Sequence, residues 1–313
     1  GEEAHYLTLT AHHIICDGWS IGIMLQDLSK LYSAYLKGIP ASLPEAIPFS
    51  RYAEEQWLFS QTNAYGEIEQ YWIDQYKDNV PQLEMPVDFP RPSVRTYKSQ
   101  RVDYPLGPEL VSSIKKIGAK AGSSLISTLI STFEIFLHRL SGQPDIVVGI
   151  PAAGQSATGN YALVGHCVNL LPLRSHLQGD LSFLEYLKQR KPRILDDYDH
   201  QQFTFGSLLK KLNITRDASR VPLVPVVFNI DMGLDDGVAF AELHHRLYYN
   251  PRQFESFEIF INASGSEHAL VLEWSYNIRL FKPETITRMM HAFEALVRAV
   301  VLDPAVRIKD IPL

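Results

Sequence analysis

His12-His13-Ile14-Ile15-Cys16-Asp17-Gly18-Trp19-Ser20 sets two adjacent histidines, a carboxylate four positions past the second, and a glycine in an apolar setting. Upstream, Tyr6 to Ile15 alternates Tyr, Thr, Leu and Ile, the period-two pattern of a strand. Downstream, Asp17 is suited to cap a helix. Ile21, Met24, Leu25, Leu28, Leu31, Tyr32 and Tyr35 then recur at helical spacing up to the breaker Gly38. The motif is therefore predicted on a strand-to-helix turn, where a short polar constellation can be held rigidly.

The rest of the chain reads as α/β. Helices are predicted at Ser50–Gln61 and Tyr65–Tyr76, and residues 79 to 96, with Pro81, Pro86, Pro90 and Pro92, read as an extended linker. That linker divides the chain into residues 1–90 and 91–313. Beyond it come a strand at Ser99–Tyr104, a helix over Pro108–Ala121 and an almost wholly apolar helix from Leu125 to Leu140. Asp145–Ile150 has the pattern of a buried strand and Ala152–Asn160 that of a loop. Helices follow at Phe183–Tyr198 and Phe205–Leu212, with strands at Val224–Asp231, Glu242–Tyr249, Phe257–Ala263 and Ala269–Tyr276. Ser264-Gly-Ser-Glu-His268 joins the last two as a hairpin, and Pro283 opens a final amphipathic helix.

A chain of 313 residues can bury a large core and is expected to form two lobes. Its 29 Lys and Arg against 35 Asp and Glu give a net charge of −6, which argues against a nucleic-acid-binding surface. No run reaches the roughly 20 apolar residues of a membrane span. The polar opening Gly1-Glu2-Glu3 is not a secretory signal. Two cysteines, Cys16 and Cys167, cannot build a disulfide framework, so a cytoplasmic setting is expected and the sequons at Asn213 and Asn262 are chance matches. The chain leads straight into its first apolar segment, as though it began inside a domain.

Successive strand side chains face opposite ways, so only one of His12 and His13 can line a given site; simple alternation would bury His13 with Leu7, Leu9 and Ala11. A histidine near pKa 6.5 can hold a lone pair at neutral pH and take or guide a proton. Gly18 permits close backbone approach, and its N–H at the helix start can stabilise developing negative charge. A lone histidine on a strand is usually structural, and an Asp before a helix is usually a cap. The tandem histidines with Asp-Gly are far more specific.

His-His-Ile-Ile-Cys-Asp-Gly resembles the His-His-x-x-x-Asp-Gly motif of the chloramphenicol acetyltransferase-like superfamily, and Trp19-Ser20 looks like the condensation domains of nonribosomal peptide synthetases. Phe49-Ser-Arg-Tyr-Ala-Glu-Glu-Gln56 is similar to Tyr-x-Asp-Tyr-Ala-x-Trp-Gln. Val148-Gly-Ile-Pro-Ala-Ala-Gly154 resembles Ile-Gly-x-Pro-x-Ala-Gly-Arg, with Gln155 where Arg is usual. Val164-Gly-His-Cys-Val-Asn-Leu-Leu-Pro-Leu-Arg174 resembles Gly-x-Phe-Val-Asn-x-Leu-x-Leu-Arg, and Arg216-Asp-Ala-Ser-Arg-Val-Pro-Leu223 looks like Arg-Asp-x-Ser-Arg-x-Pro-Leu.

The resemblance implies an α+β two-layer sandwich of two lobes, the first incomplete: 1–90 as its C-terminal part and 91–313 as the second lobe. It implies a tunnel entered by phosphopantetheine arms of donor and acceptor carrier proteins, an adjacent adenylation domain, and no cofactor or metal bound by the domain itself. The reaction is amide formation between an acyl thioester and the amine of an aminoacyl thioester. By matching position the active histidine is His13, as general base or as a group positioning the amine. Gly18 is the backbone contributor. Asp17 is structural support paired with an Arg, and His12 is a packed or hydrogen-bonded support. Asn229 is a candidate for polarising the acyl group, with a strand-end structural role as its alternative, and Arg216, Asp217 and Arg220 order a loop. The upstream segment expected to carry the Arg partner of Asp17 lies outside this sequence.

Other readings make different demands. A non-catalytic carrier-docking fragment needs no working histidine, and a free-standing acyltransferase on coenzyme A thioesters would act without carrier protein. An epimerization domain would carry a Glu-Gly-His-Gly-Arg-like segment, and a cyclization domain would replace the first histidine by Asp; neither feature occurs. A cysteine hydrolase would rest on Cys16. A metal site from His12, His13 and Asp17 is disfavoured because adjacent strand residues diverge.

Overall fold

The computed structural model describes residues 4–215, 217–266 and 268–313. In chain order its elements are α1 (Gly18–Leu36), α2 (Phe49–Phe59), α3 (Asn63–Tyr76), β1 (Ser99–Leu106), α4 (Pro108–Lys120), α5 (Leu125–Ser141), β2 (Asp145–Ala153), α6 (Gly154–Thr158), β3 (Val168–His176), α7 (Phe183–Asp199), α8 (Phe205–Lys211), β4 (Val226–Met232), β5 (Ile259–Ser266), β6 (Ala269–Asn277) and α9 (Pro283–Leu302). The chain is mixed α/β, as its patterning predicts. Packing divides it into one unit of Gly1–Gln61, Ala153–Val168 and Leu234–Tyr248, and a second of Thr62–Ala152, Asn169–Gly233 and Tyr249–Leu313.

The second unit is built on a six-stranded sheet of order β1-β6-β5-β4-β2-β3. β6 runs antiparallel to both β1 and β5, whereas β4 runs parallel to β5 and β2. The apolar helix α5 is buried because Phe133 stacks on Phe228 of β4, and Phe136 meets Trp274 of β6 and Phe293 of α9 edge-on. Ser124 caps α5 and Gly142, at φ 72°, ends it in the left-handed conformation its lack of Cβ permits. Beneath α5, Arg190 of α7 grips Glu134 with bonds of 2.7–3.1 Å, and Tyr186 donates to the same carboxylate at 2.7 Å. Residues 79–96 are extended but fastened to this unit. Arg91 pairs with Glu258 at 2.6 and 2.9 Å, and Asp88 accepts from Lys282 N–H and the Thr285 hydroxyl at the start of α9. By packing, the units part after Gln61, whereas proline content points to residue 90.

The first unit is centred on α1. Residues 234–241 run along this helix: Ser33 Oγ donates to Ala239 O and accepts from Ala241 N–H, and Tyr32 meets Phe240 edge-on. Among the described residues no helix is long and apolar enough to cross a membrane.

Three local expectations are corrected. Residues 4–12 join no strand ladder, because hydrogen-bonded strand needs a partner and no described segment supplies one; Tyr6 and Leu7 stand exposed. Glu242–Tyr249 is not a strand either, since Glu242 sits at φ 63°, outside extended geometry. Ala152–Asn160 holds the single-turn α6, ended by Gly159 at φ 72°. The strand β3 lies where no strand is predicted, its apolar run interrupted by Pro172 and Arg174. Glu267, within the predicted hairpin, lies outside the described residues; β5 and β6 still pair through Ser266 and Ala269.

Candidate active site

The site grows from the turn at residues 12–15 and the helix that follows. Ile15 N–H donates to His12 O at 3.0 Å, closing a turn rather than continuing an extended strand. His12 Nδ1 accepts from Ile14 N–H at 3.1 Å, which places the proton of neutral His12 on Nε2. Because the backbone turns here, the alternation argument fails: both His12 and His13 are exposed. Asp17 then caps α1, its Oδ1 accepting Ser20 N–H at 2.9 Å and Ser20 Oγ–H at 2.7 Å.

Asp17 is the hub. It is 5% exposed, and its two oxygens also accept Gln155 Nε2 at 3.1 and 3.0 Å and Cys167 N–H at 2.9 Å. Burial alone would push this carboxyl up. The hydrogen bonds from Cys167, Ser20 and Gln155 outweigh burial and hold it below the usual carboxylate range. The expectation that Asp17 lacks a partner without an upstream Arg is corrected: a neutral amide, two backbone N–H groups and a hydroxyl satisfy it. Gln155 itself is fully buried, and its Oε1 has no hydrogen-bond partner among the described residues.

The 153–168 segment is clamped to the motif at several points. Ser20 Oγ donates to Gly165 O and accepts from Gly165 N–H, both at 2.9 Å. A Cβ at Gly165 would stand 2.2 Å from the Phe49 ring, and one at Gly154 would stand 2.4 Å from Cys167 O and 2.6 Å from Tyr52 Oη. These two glycines exist because α2 and the segment touch there. Tyr52 and Cys167 meet side chain to side chain, and burial raises the pKa of both, Cys167 to about 11. Trp19 Nε1 donates to Tyr161 O at 3.0 Å.

This clamping delivers a residue that sequence reasoning missed. His166 Nδ1 lies 3.2 Å from His13 Nδ1, with the rings 5.0 Å apart and nearly perpendicular at 84°. Desolvation and the neighbouring His13 lower the pKa of His166, with Asp17 pulling the other way. Gly18 is the first residue of α1, so its N–H has no intrahelical acceptor and is available to an oxyanion.

Asn229 sits on β4 in the second unit, donating through Nδ2 to Asp231 at 2.8 Å and to Asn262 at 2.9 Å. Both hydrogens of its amide are thus engaged within the sheet, which favours its structural role over carbonyl polarisation. Asn262 in turn donates to Glu273 and is buried, out of reach of glycosylation. Asp217 accepts from Ser219 N–H and Oγ–H and pairs with Arg220, ordering a loop; Arg216 lies outside the described residues. Cys16 is buried, and burial followed by the charge of Asp17 raises its pKa, so it is a protonated thiol and a poor nucleophile.

Comparison with known proteins gives one result. The condensation-domain family matches residues 1–313. Tyrocidine synthase 3 of Brevibacillus parabrevis is 32% identical over 314 residues, covering 100% of this chain and 5% of the synthase. Surfactin synthase subunit 2 of Bacillus subtilis (strain 168) is 33% identical over 312 residues, covering 100% of this chain and 8% of the subunit. The chain thus spans a small fraction of these relatives. Among solved structures, a four-domain nonribosomal peptide synthetase bound to AMP and glycine superimposes with a TM-score of 0.83 at 22% identity, over 96% of this chain and 24% of that one. The X-domain from teicoplanin biosynthesis gives 0.82 at 18% identity, over 97% and 70%. These similarities establish the fold as that of condensation domains, the chloramphenicol acetyltransferase-like architecture.

Proposed function

The chain belongs to the condensation-domain family, and from that premise we propose that it forms an amide bond between a donor acyl thioester and the amine of an acceptor aminoacyl thioester. Both substrates ride on phosphopantetheine arms of carrier proteins, in a cytoplasmic synthetase that also holds an adenylation domain. In the family's architecture residues 1–90 belong to the first lobe and residues 91–313 form the second. The observation that carries the activity is the exposed His13 on a turn locked by the buried, fully hydrogen-bonded Asp17.

The acceptor nitrogen attacks the thioester carbonyl, the C–N bond forms, and His13 takes or guides the proton the amine loses. The N–H of Gly18 faces the negative charge on the carbonyl oxygen. As the tetrahedral species collapses the C–S bond breaks and the thiolate leaves with a proton, returning the histidine to its starting state. Asp17 touches no reacting atom; it holds the turn.

The test supplies carrier-loaded donor and acceptor to the full-length protein and follows the amide product by mass spectrometry. His13→Ala lowers the rate roughly 10²–10⁴-fold, the usual contribution of a positioned acid–base group. An unchanged rate in His13→Ala removes the catalytic reading of that residue, and product formed only from coenzyme A thioesters removes the carrier-protein reading.

A further inference from the structure

We propose that His166 is a positioning residue for His13, accepting the proton on His13 Nδ1 and thereby presenting the Nε2 lone pair to the substrate amine. The inference rests on the amide-forming reading above and deepens it.

Two independent features put His166 where it is. The backbone before it is fixed by the paired Ser20–Gly165 bonds, and the backbone after it by the bond from Cys167 N–H to Asp17. Both anchors lie on the first turn of α1, so the loop carrying His166 and the turn carrying His13 are held to one frame. The result is the 3.2 Å approach of the two Nδ1 atoms.

At that distance one Nδ1 must donate and the other accept, since two lone pairs would repel. If His166 donated, His13 would carry its own proton on Nε2 and have no basic nitrogen to offer. If His13 donates, its Nε2 is free, and His166 keeps its proton on Nε2. Of the groups acting on His166, burial and then His13 lower its pKa, whereas Asp17 and a hydrogen bond to the His13 backbone raise it; in the second arrangement that backbone bond falls to the Nε2–H of His166. Burial of His166 works against its taking a charge. When His13 Nε2 takes the amine proton, the resulting imidazolium strengthens its Nδ1–H bond to the neutral acceptor. His13 Nε2 then returns that proton to the departing thiolate, and no other group changes its protonation. His12 cannot serve as acceptor, because its Nδ1 is engaged by Ile14 N–H.

Three forms of the full-length protein test this: wild type, His166→Leu and His166→Asn, whose amide oxygen can stand in for the accepting nitrogen. Long-range ¹H–¹⁵N spectra of the wild type should show His13 protonated on Nδ1 and bare on Nε2 at neutral pH. In the carrier-loaded assay His166→Leu should lose about 10- to 100-fold in kcat with KM little changed, and the acid limb of its pH–rate profile should move to lower pH. His166→Asn should recover most of both. A His13 protonated on Nε2, or a His166→Leu enzyme with wild-type kcat and pH profile, overturns the proposal. Failure of the wild type to form amide overturns the activity reading instead, and the tautomer spectrum still decides the pairing.

Discussion

Gln155 donates to both oxygens of Asp17, at 3.1 and 3.0 Å, across 138 residues of chain. Where the family pattern carries Arg, this chain places a neutral amide against the carboxylate. Both partners are buried, so the pair avoids desolvating a guanidinium while still satisfying the anion. Gln155→Leu should therefore cost about 1–3 kcal/mol by stranding part of Asp17, read as a lower urea midpoint at unchanged slope. A variant as stable as the wild type would show that the bond is dispensable.

Asp17 should give the protein a specific acid sensitivity. Its folded pKa is depressed, so its stabilisation is complete above the ordinary carboxylate pKa near 3.9 and is lost as pH falls through the lower folded value. Asp17→Asn should be less stable at pH 7 by about 3 kcal/mol and should lose less on going from pH 5 to 3. Parallel urea titrations of the two proteins at those pH values measure the difference, and equal pH slopes would refute it.

Cys16 and Cys167 should behave as inert core thiols. With Cys16 raised by burial and Cys167 pushed up to about 11, iodoacetamide at pH 8 should label native protein far more slowly than unfolded protein. Cys16→Ser should retain amide formation. Rapid native labelling at Cys16 with loss of activity would revive a thiol-based mechanism.

In the second unit, Arg190→Met leaves Glu134 buried without its cation and should destabilise by about 3–5 kcal/mol. The double variant with Glu134→Met should regain most of that loss. A double-mutant cycle in urea tests the coupling, and additive losses would show the pair does not act as a unit.

Gly165→Ala drives a methyl into the Phe49 ring and should cost about 1–3 kcal/mol. It should also lower the amide-forming rate, since the same loop carries His166. A stable variant with normal activity would show that the loop can shift without consequence.

Much of this arrangement was legible in the order of residues. The cap at Asp17, the apolar α5 between Ser124 and Gly142, and Pro283 opening α9 all follow from local rules, and the structure obeys them. The two unformed strands show where local rules stop: alternation in Tyr6–Ile15 marks a segment able to pair, and pairing is a property of two segments. The partners of the motif were hidden for a related reason. Gln155 was visible as a departure from the family pattern, but nothing in its spacing joins it to Asp17. His166 stands 153 residues from His13, and only the folded loop brings them together.

The bond from Cys167 N–H to Asp17 spans 150 residues. During synthesis at roughly 5–20 residues per second, such a span takes about 8–30 s to emerge. Throughout that interval the motif exists as covalent sequence with its carboxylate unbraced and its histidine unplaced. Competence here is acquired late: the motif waits on a segment made 150 residues after it before it becomes a site.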